Sequence, residues 1–275
     1  MKRVLILSSH VAASRVGGRV AVSALEARGI ETVFCPTVLL GRHPGHGAPG
    51  GGAVLAEQFG SMLEGVAAQG LFVKFDAVLT GYFANAEQVA IAAAAIEEIR
   101  KASDNPLIVV DPIIGDNGAL YVPEDVASAI RDQLLPLADL ITPNAFELEW
   151  LSGRNIATPA DFKAAAAIAP VTFMTSARFV RRFGTAYHAN GEAAFATHVE
   201  LDTLPHGTGD FFTSELVSEM VSGSAPGDAF ETAVRNTLDV ALKARDWNVS
   251  DLPDIAARQH PLHPDATIDL TLLRD

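Results

Sequence analysis

Leu107-Ile108-Val109-Val110-Asp111-Pro112 is the stretch that decides the fold class of this 275-residue chain. Four apolar residues in a row, three of them β-branched, suit a strand covered on both faces, and the proline ends it. Comparable runs recur at Val4 to Leu7, within Glu31 to Leu40, at Ala77-Val78-Leu79-Thr80, at Asp139-Leu140-Ile141-Thr142 and at Val171 to Thr175. Helical stretches separate them. Val20 to Arg28 is stopped by Gly29, Ala53 to Gln69 follows, and Asn85 caps an alanine-rich helix reaching about Ala102. Pro123 opens a helix that Pro136 ends, and Pro159 to Ala169 is helical too. This alternation predicts a mostly parallel sheet with helices on both faces.

From Phe183 to Leu201 the pattern turns to alternating polar and apolar residues around Asn190-Gly191, a hairpin signal that makes the late sheet antiparallel. Helices follow at about 209–222 and 226–245. No internal repeat, linker or composition break divides the chain, so residues 1–275 are expected to form one domain. Gly41 to Gly52, with six glycines, two prolines and His43 and His46, is expected to lack regular structure and to serve as a flap.

Composition narrows the function classes. With 49% hydrophobic and 19% charged residues the chain can bury a large core. A formal net charge of −13 argues against non-specific nucleic-acid binding, which needs a basic face. The single cysteine, Cys35, lies in a strand-like run and reads as a small buried residue. The apolar stretch after Met1-Lys2-Arg3 is too short for a signal peptide, and no run approaches the ~18 residues needed to span a bilayer. The cytoplasm is the expected compartment, with no membrane partner.

In parallel α/β sheets, ligands sit beyond the carboxyl ends of the strands. Polar punctuation falls there: Ser8-Ser9-His10, Gly81-Tyr82, Asp111-Pro112, Thr142-Pro143-Asn144 and Thr175-Ser176. Asp111 through Gly118 places two carboxylates around a turn, which suits a metal–nucleotide site or simple turn chemistry. Asn144 and Glu147 have the spacing of a capping box, and Glu147 is also placed to order Mg²⁺ through water.

Gly207-Thr208-Gly209-Asp210 carries the chemistry. A glycine turn opening a helix presents backbone N–H groups to an anion. A carboxylate beside that site repels a phosphate, unless it takes the proton of the hydroxyl that attacks the phosphoryl group. The histidines show no metal-ligand spacing; His260 and His263 lie in the tail. Neither a Walker loop nor a Gly-x-Ser-x-Gly elbow is present.

Taken in order, these segments resemble the pyridoxal kinase family of ribokinase-like vitamin kinases. The resemblance rests on Ser8-Ser9-His10-Val11, Gly81-Tyr82, Asp111 through Val122, Ile141 to Asn144 with Phe146 to Glu149, and Gly207 to Asp210. It implies a ribokinase-like three-layer sandwich without a separate lid domain, the 41–52 flap covering the site. It also implies transfer of the ATP γ-phosphoryl group to the 5′-hydroxymethyl of pyridoxal, pyridoxine or pyridoxamine. Asp210 is then the base, and Gly207, Thr208 and Gly209 hold the transferring phosphoryl. Ser9, Tyr82, His43 and His46 fall to the vitamin. Asp111, Asn144, Glu147, Thr175 and Ser176 fall to the nucleotide, with Asp111 and Glu147 organising Mg²⁺ through water. A monovalent cation such as K⁺ and a homodimer complete the expectation.

One departure matters. The family's flap typically reads Ser-Asn-His-Thr-Gly-Tyr-Gly, whereas this chain has Gly41-Arg42-His43-Pro44-Gly45-His46-Gly47. Pro44 removes a substrate-holding hydroxyl, a loss of about 0.5–1.5 kcal/mol, or roughly 2- to 13-fold in affinity. Two other readings follow. One is a related hydroxymethylpyrimidine kinase, although such relatives usually have cysteine where Asp210 stands. The other is a protein that binds a B6 vitamer or a nucleotide with little catalysis.

Overall fold

The structure, a computed structural model, describes residues 1–179 and 182–274. Five parallel strands form the heart of the sheet: β1 (Arg3–Val11), β2 (Glu31–Leu40), β4 (Ala77–Thr80), β5 (Leu107–Val110) and β8 (Leu140–Ile141). β3 (Gly51–Ala53) is antiparallel on β2. β9 (Val171–Phe179) joins in parallel on β8 and is followed antiparallel by β10 (Arg182–Ala189), β11 (Glu192–Thr197) and β12 (Asp269–Leu272). The order across the sheet is β12-β11-β10-β9-β8-β5-β4-β1-β2-β3. At the β10–β11 turn Asn190 and Gly191 take φ of 52° and 81°, the pair of positive values that a two-residue hairpin requires.

Period-two alternation splits the strand side chains between two helical layers. In β1, Leu5 and Leu7 enter one core with Val78, Ile108 and Val110, while Val4 and Ile6 enter the other with Leu79 and Val109. The first core is covered by α2 (Ala56–Ala68), α3 (Ala86–Ala102), α4 (Glu124–Ala129), α5 (Ala145–Ser152) and α6 (Pro159–Ala166). The second is covered by α1 (Gly18–Glu26), α7 (Thr208–Val221) and α8 (Pro226–Asp246), with Phe173 of β9 edge-on to Phe212 at 6.3 Å. Removing such a buried ring costs about 3–5 kcal/mol. Short α9 (Asp254–Ala257) packs on α1 and α8. The result is the expected three-layer α/β sandwich with its late antiparallel strands, and the described residues contain no separate lid domain.

Five local expectations need correction. Residues 41–52 do contain regular structure: Pro44–His46 make one 3₁₀ turn, and Gly51 and Gly52 join Ala53 in β3. Glycine does not prevent pairing when a neighbouring edge, here β2, offers free backbone groups. The helix expected from Ala53 therefore starts at Ala56. β1 runs on to Val11, because β2 pairs with it as far as Leu40, so Ser8-Ser9-His10 lie inside a strand. The turn after Asp111 holds a small hairpin, β6 (Gly115–Asp116) with β7 (Ala119–Leu120). Regular α4 ends at Ala129, and Pro136 sits in the first turn of a 3₁₀ helix, where its missing N–H is no loss.

Candidate active site

The carboxyl-terminal parts of β1, β4, β5 and β8 converge on one cavity of about 690 Å³, which β9 joins through Thr175. Thr175-Ser176, expected at a strand end, lie inside β9, because that strand continues to Phe179 in its pairing with β10. Ser9, Tyr82, Asp111, Asn144, Glu147 and Thr175 line it from the sheet side, His43 and Pro44 from the flap, and Gly207 to Asp210 from the start of α7.

The α7 wall is built from backbone. Gly207 is the N-cap, with φ of 90°, and a Cβ there would stand 2.3 Å from the carbonyl oxygen of Arg15. Only glycine fits that conformation and that space. No side chain caps α7, so Thr208 and Gly209 meet the cavity at the positive end of the helix dipole. The Thr208 hydroxyl donates to the carbonyl of Pro205 at 2.6 Å, which ties the turn down.

Asp210 is oriented from across the cavity floor. The Gly17 N–H donates to its Oδ2 at 2.8 Å. Burial pushes the carboxyl up to about 6, against the pull of that hydrogen bond and of its own backbone N–H. A carboxylate whose proton comes and goes near neutrality suits a general base. Gly17 has φ of 58°, and a Cβ on it would lie 2.1 Å from Ser9 Oγ.

Asp111 is buried at the end of β5. Burial, then the charges of Asp210 and Glu147, raise its pKa well above the carboxylate range, while the nearby hydroxyls of Thr142 and Thr213 oppose the rise. Glu147 is 3% exposed and accepts three backbone N–H groups: Asn144 at 2.8 Å, Ile114 at 3.0 Å and Gly115 at 3.4 Å. Burial still lifts its pKa to about 8. With the Asn144 side chain accepting from Glu147 N–H, the capping box is complete.

The carboxylates fit a divalent cation that arrives with a nucleotide. Asp111, Asp116, Glu147 and Asp210 line the cavity, and its described lining includes no lysine or arginine. Among the described residues no three side chains are grouped as a ready cation cage. Mg²⁺ that arrives with a nucleotide keeps waters and phosphate oxygens and takes one or two carboxylates from the protein, a demand that these side chains can meet.

A second, smaller cavity of about 120 Å³ adjoins the first, sharing Thr175, Thr208 and Gly209. Ser176 lines this one, with Phe183, His198, Leu238 and Ala241. His46 lies outside the large cavity: its ring meets His206 edge-on at 5.2 Å, and Nε2 is 4.0 Å from Asp251 Oδ1. Three contributors escaped the sequence reading. Gly17 and His206 carried no signal beyond adjacency to a strand and to Gly207, and the apolar wall of α8 reads as ordinary core.

Comparison with known proteins gives the family and the fold. The family model for phosphomethylpyrimidine kinase matches residues 53–250. A pyridoxine/pyridoxal/pyridoxamine kinase of Bordetella avium is 33% identical over 84% of this chain and 82% of its own length. Human pyridoxal kinase is 35% identical over 56% of this chain and 50% of its own. The solved pyridoxal kinase of Leishmania donovani in complex with ADP and pyridoxamine covers 100% of both chains at a TM-score of 0.89 and 27% identity. That of Entamoeba histolytica reaches 0.90 at 24% identity, over 99% of this chain and all of its own, and supports the fold alone. On the family model and the Bordetella relative, the chain belongs to the pyridoxal kinase family of the ribokinase-like superfamily.

Proposed function

We propose that the protein is an ATP-dependent pyridoxal kinase that phosphorylates the 5′-hydroxymethyl group of a B6 vitamer. The observation that carries this is Asp210, held by Gly17 N–H at the uncapped N-terminus of α7 inside the large cavity. Asp210 takes the proton of the alcohol as its oxygen bonds to the γ-phosphorus. The bond from that phosphorus to the β–γ bridging oxygen breaks, and ADP leaves. The N–H groups at Gly207, Thr208 and Gly209 meet the charge on the transferring phosphoryl. Ser9, Tyr82 and His43 hold the pyridine ring, and Tyr82 offers an aromatic face for stacking.

Thr175 and Ser176 lie toward the nucleotide, whose base fits the smaller apolar cavity. Mg²⁺ bound with ATP supplies charge neutralisation. Asp111 and Glu147 would hold it through water, and Asn144 fixes Glu147 through the capping box. K⁺ as a second ion, a homodimer and a cytoplasmic setting belong to the same proposal. Among the described residues no helix is long and apolar enough to cross a membrane.

The test is ADP release with Mg²⁺ and K⁺ over pyridoxal, pyridoxine, pyridoxamine and hydroxymethylpyrimidine. Turnover on the vitamers is expected, and Asp210 argues for them over the pyrimidine alcohol. Preference for hydroxymethylpyrimidine would reassign the substrate, and silence with every alcohol would leave a binding protein. Size-exclusion chromatography with light scattering decides the dimer.

A further inference from the structure

Among the described side chains that line the large cavity, only the imidazoles of His43 and His206 can carry positive charge. They touch: their ring centroids are 4.2 Å apart at an interplanar angle of 31°. His46 completes a cluster, edge-on to His206 at 5.2 Å and 6.1 Å from His43. Two of the three rings belong to the flap, while His206 belongs to the segment that leads into Gly207. His206 is itself anchored, its N–H donating to the carbonyl of Ser250 at 3.0 Å. Next to Ser250, the buried Oδ1 of Asp251 has no hydrogen-bond partner and faces His46 Nε2 at 4.0 Å.

We propose that His206 is a positioning residue for the flap. With His43 and His46 it forms a clasp of uncharged imidazoles that closes the flap over the cavity, and protonation of the cluster opens it. This rests on the reading that the alcohol substrate binds beneath the flap. Uncharged rings at these separations attract through stacked and edge-on contacts. Protonated rings 4–6 Å apart repel, and the one facing carboxylate, Asp251, balances a single positive charge. A second proton therefore has no partner.

The other charged groups nearby are committed elsewhere. The Arg42 guanidinium donates to the carbonyl of Ala48 within the flap, Arg15 pairs with buried Asp254 at 2.7 Å, and Asp210 is held by Gly17. His43 already accepts the Gly45 N–H through Nδ1 at 3.1 Å. Burial, then the charges of His206 and His46, lower its pKa, with Asp251 opposing, so an uncharged His43 is favoured in the closed clasp.

The experiment measures hydrogen–deuterium exchange of residues 41–52 in the full-length protein from pH 5.5 to 8, corrected for intrinsic rates. Steady-state kinetics accompany it. In the wild type, flap exchange should accelerate toward the acid end of this range, as the cluster gains protons. The double variant His46→Phe with His206→Phe keeps both rings without their titrating nitrogens and leaves only His43 to gain a proton, so its flap should stay protected across the whole range. His206→Ala should exchange fast at every pH and raise the vitamer KM about 2- to 13-fold, the range an aromatic pair implies, with KM for ATP unmoved. An unchanged flap in His206→Ala overturns the clasp, and wild-type pH dependence in the double variant His46→Phe with His206→Phe overturns its opening by protons. If the wild type phosphorylates no vitamer, the functional reading falls while the exchange data still decide the clasp.

Discussion

The two walls of the large cavity are held by different means. On the α7 side, positions are set by backbone: Gly207 lies against the Arg15 carbonyl, and Asp210 is gripped by Gly17 N–H. On the flap side the exposed tip is held at its root, where Gly41 N–H donates to Pro49 at 3.1 Å and His43 N–H donates to Ser14 Oγ at 3.3 Å. Beyond that root it rests on ring contacts. Backbone clamps inside a packed core move little, whereas a glycine-rich loop with few buried contacts opens at low cost. Under the proposed function, chemistry belongs to the backbone-held wall and substrate selection to the flap wall. Substitutions on the first should then change turnover, and substitutions on the second should change KM.

The largest effect is expected at Asp210. Asp210→Asn should lower kcat by about 10²- to 10⁴-fold, as loss of a general base does, with ATP and pyridoxal still binding. In the wild type, kcat/KM should fall as the pH drops through about 6, where the base gains its proton. Stability moves the other way. A carboxyl whose folded pKa, about 6, lies above its ordinary 3.8 stabilises the fold when protonated, and that contribution is lost as the pH rises through 6. Asparagine removes this cost, so its melting temperature should exceed wild type by a few degrees at pH 7.5, with no gain near pH 3.5. Equal melting temperatures at pH 7.5 would show that the Asp210 charge is not strained by burial.

Next comes Gly17→Ala. Its Cβ would collide with Ser9 Oγ at 2.1 Å, and φ of 58° strains any side chain. Moving the Gly17 N–H displaces Asp210, and a shift of about 1 Å can cost on the order of 10²-fold in rate. The variant should lose kcat and melt earlier. Intact kcat would mean that Asp210 is positioned by α7 alone.

Glu147→Gln separates two roles of one residue. Placing an amide NH₂ where Glu147 accepts three backbone N–H groups should cost about 1–3 kcal/mol of stability. If Glu147 also orders Mg²⁺, the half-saturating Mg²⁺ should rise by about tenfold or more, in line with other residues that act through bound water. A destabilised variant with an unchanged Mg²⁺ titration would confine Glu147 to the capping box.

How much of this was legible in the sequence follows the same division. The parallel strands were legible because each is a short apolar run between helical stretches, as at Val78 and Ile108. The hairpin at Asn190-Gly191 was legible because type I′ geometry needs residues tolerant of positive φ. The capping box at Asn144 and Glu147 is a local spacing and could be read directly. Long-range contacts could not. Nothing local to Gly17 says that its N–H will find a carboxylate 193 positions away. Nothing in Ala-Gly-rich residues 41–53 announces a strand, because β3 exists only through the open edge of β2. His206 shows its neighbours only once the flap has folded over it.

The smallest effect should come from the flap, and it tests the contrast most directly. Pro44 lines the cavity at the start of a 3₁₀ turn and has neither an N–H nor a hydroxyl to offer. Pro44→Thr supplies a hydroxyl at a position on the cavity wall, worth about 0.5–1.5 kcal/mol if it bonds a substrate. The KM for pyridoxal should fall by roughly 2- to 13-fold, while kcat stays within about twofold, because the Gly17–Asp210 clamp is untouched. In the double variant with Gly17→Ala, the KM gain and the kcat loss should combine as independent factors, since one acts on the loop and the other on the core. A Pro44→Thr variant that changed kcat instead of KM would mean that flap closure feeds directly into phosphoryl transfer, and the two walls would have to be treated as one device.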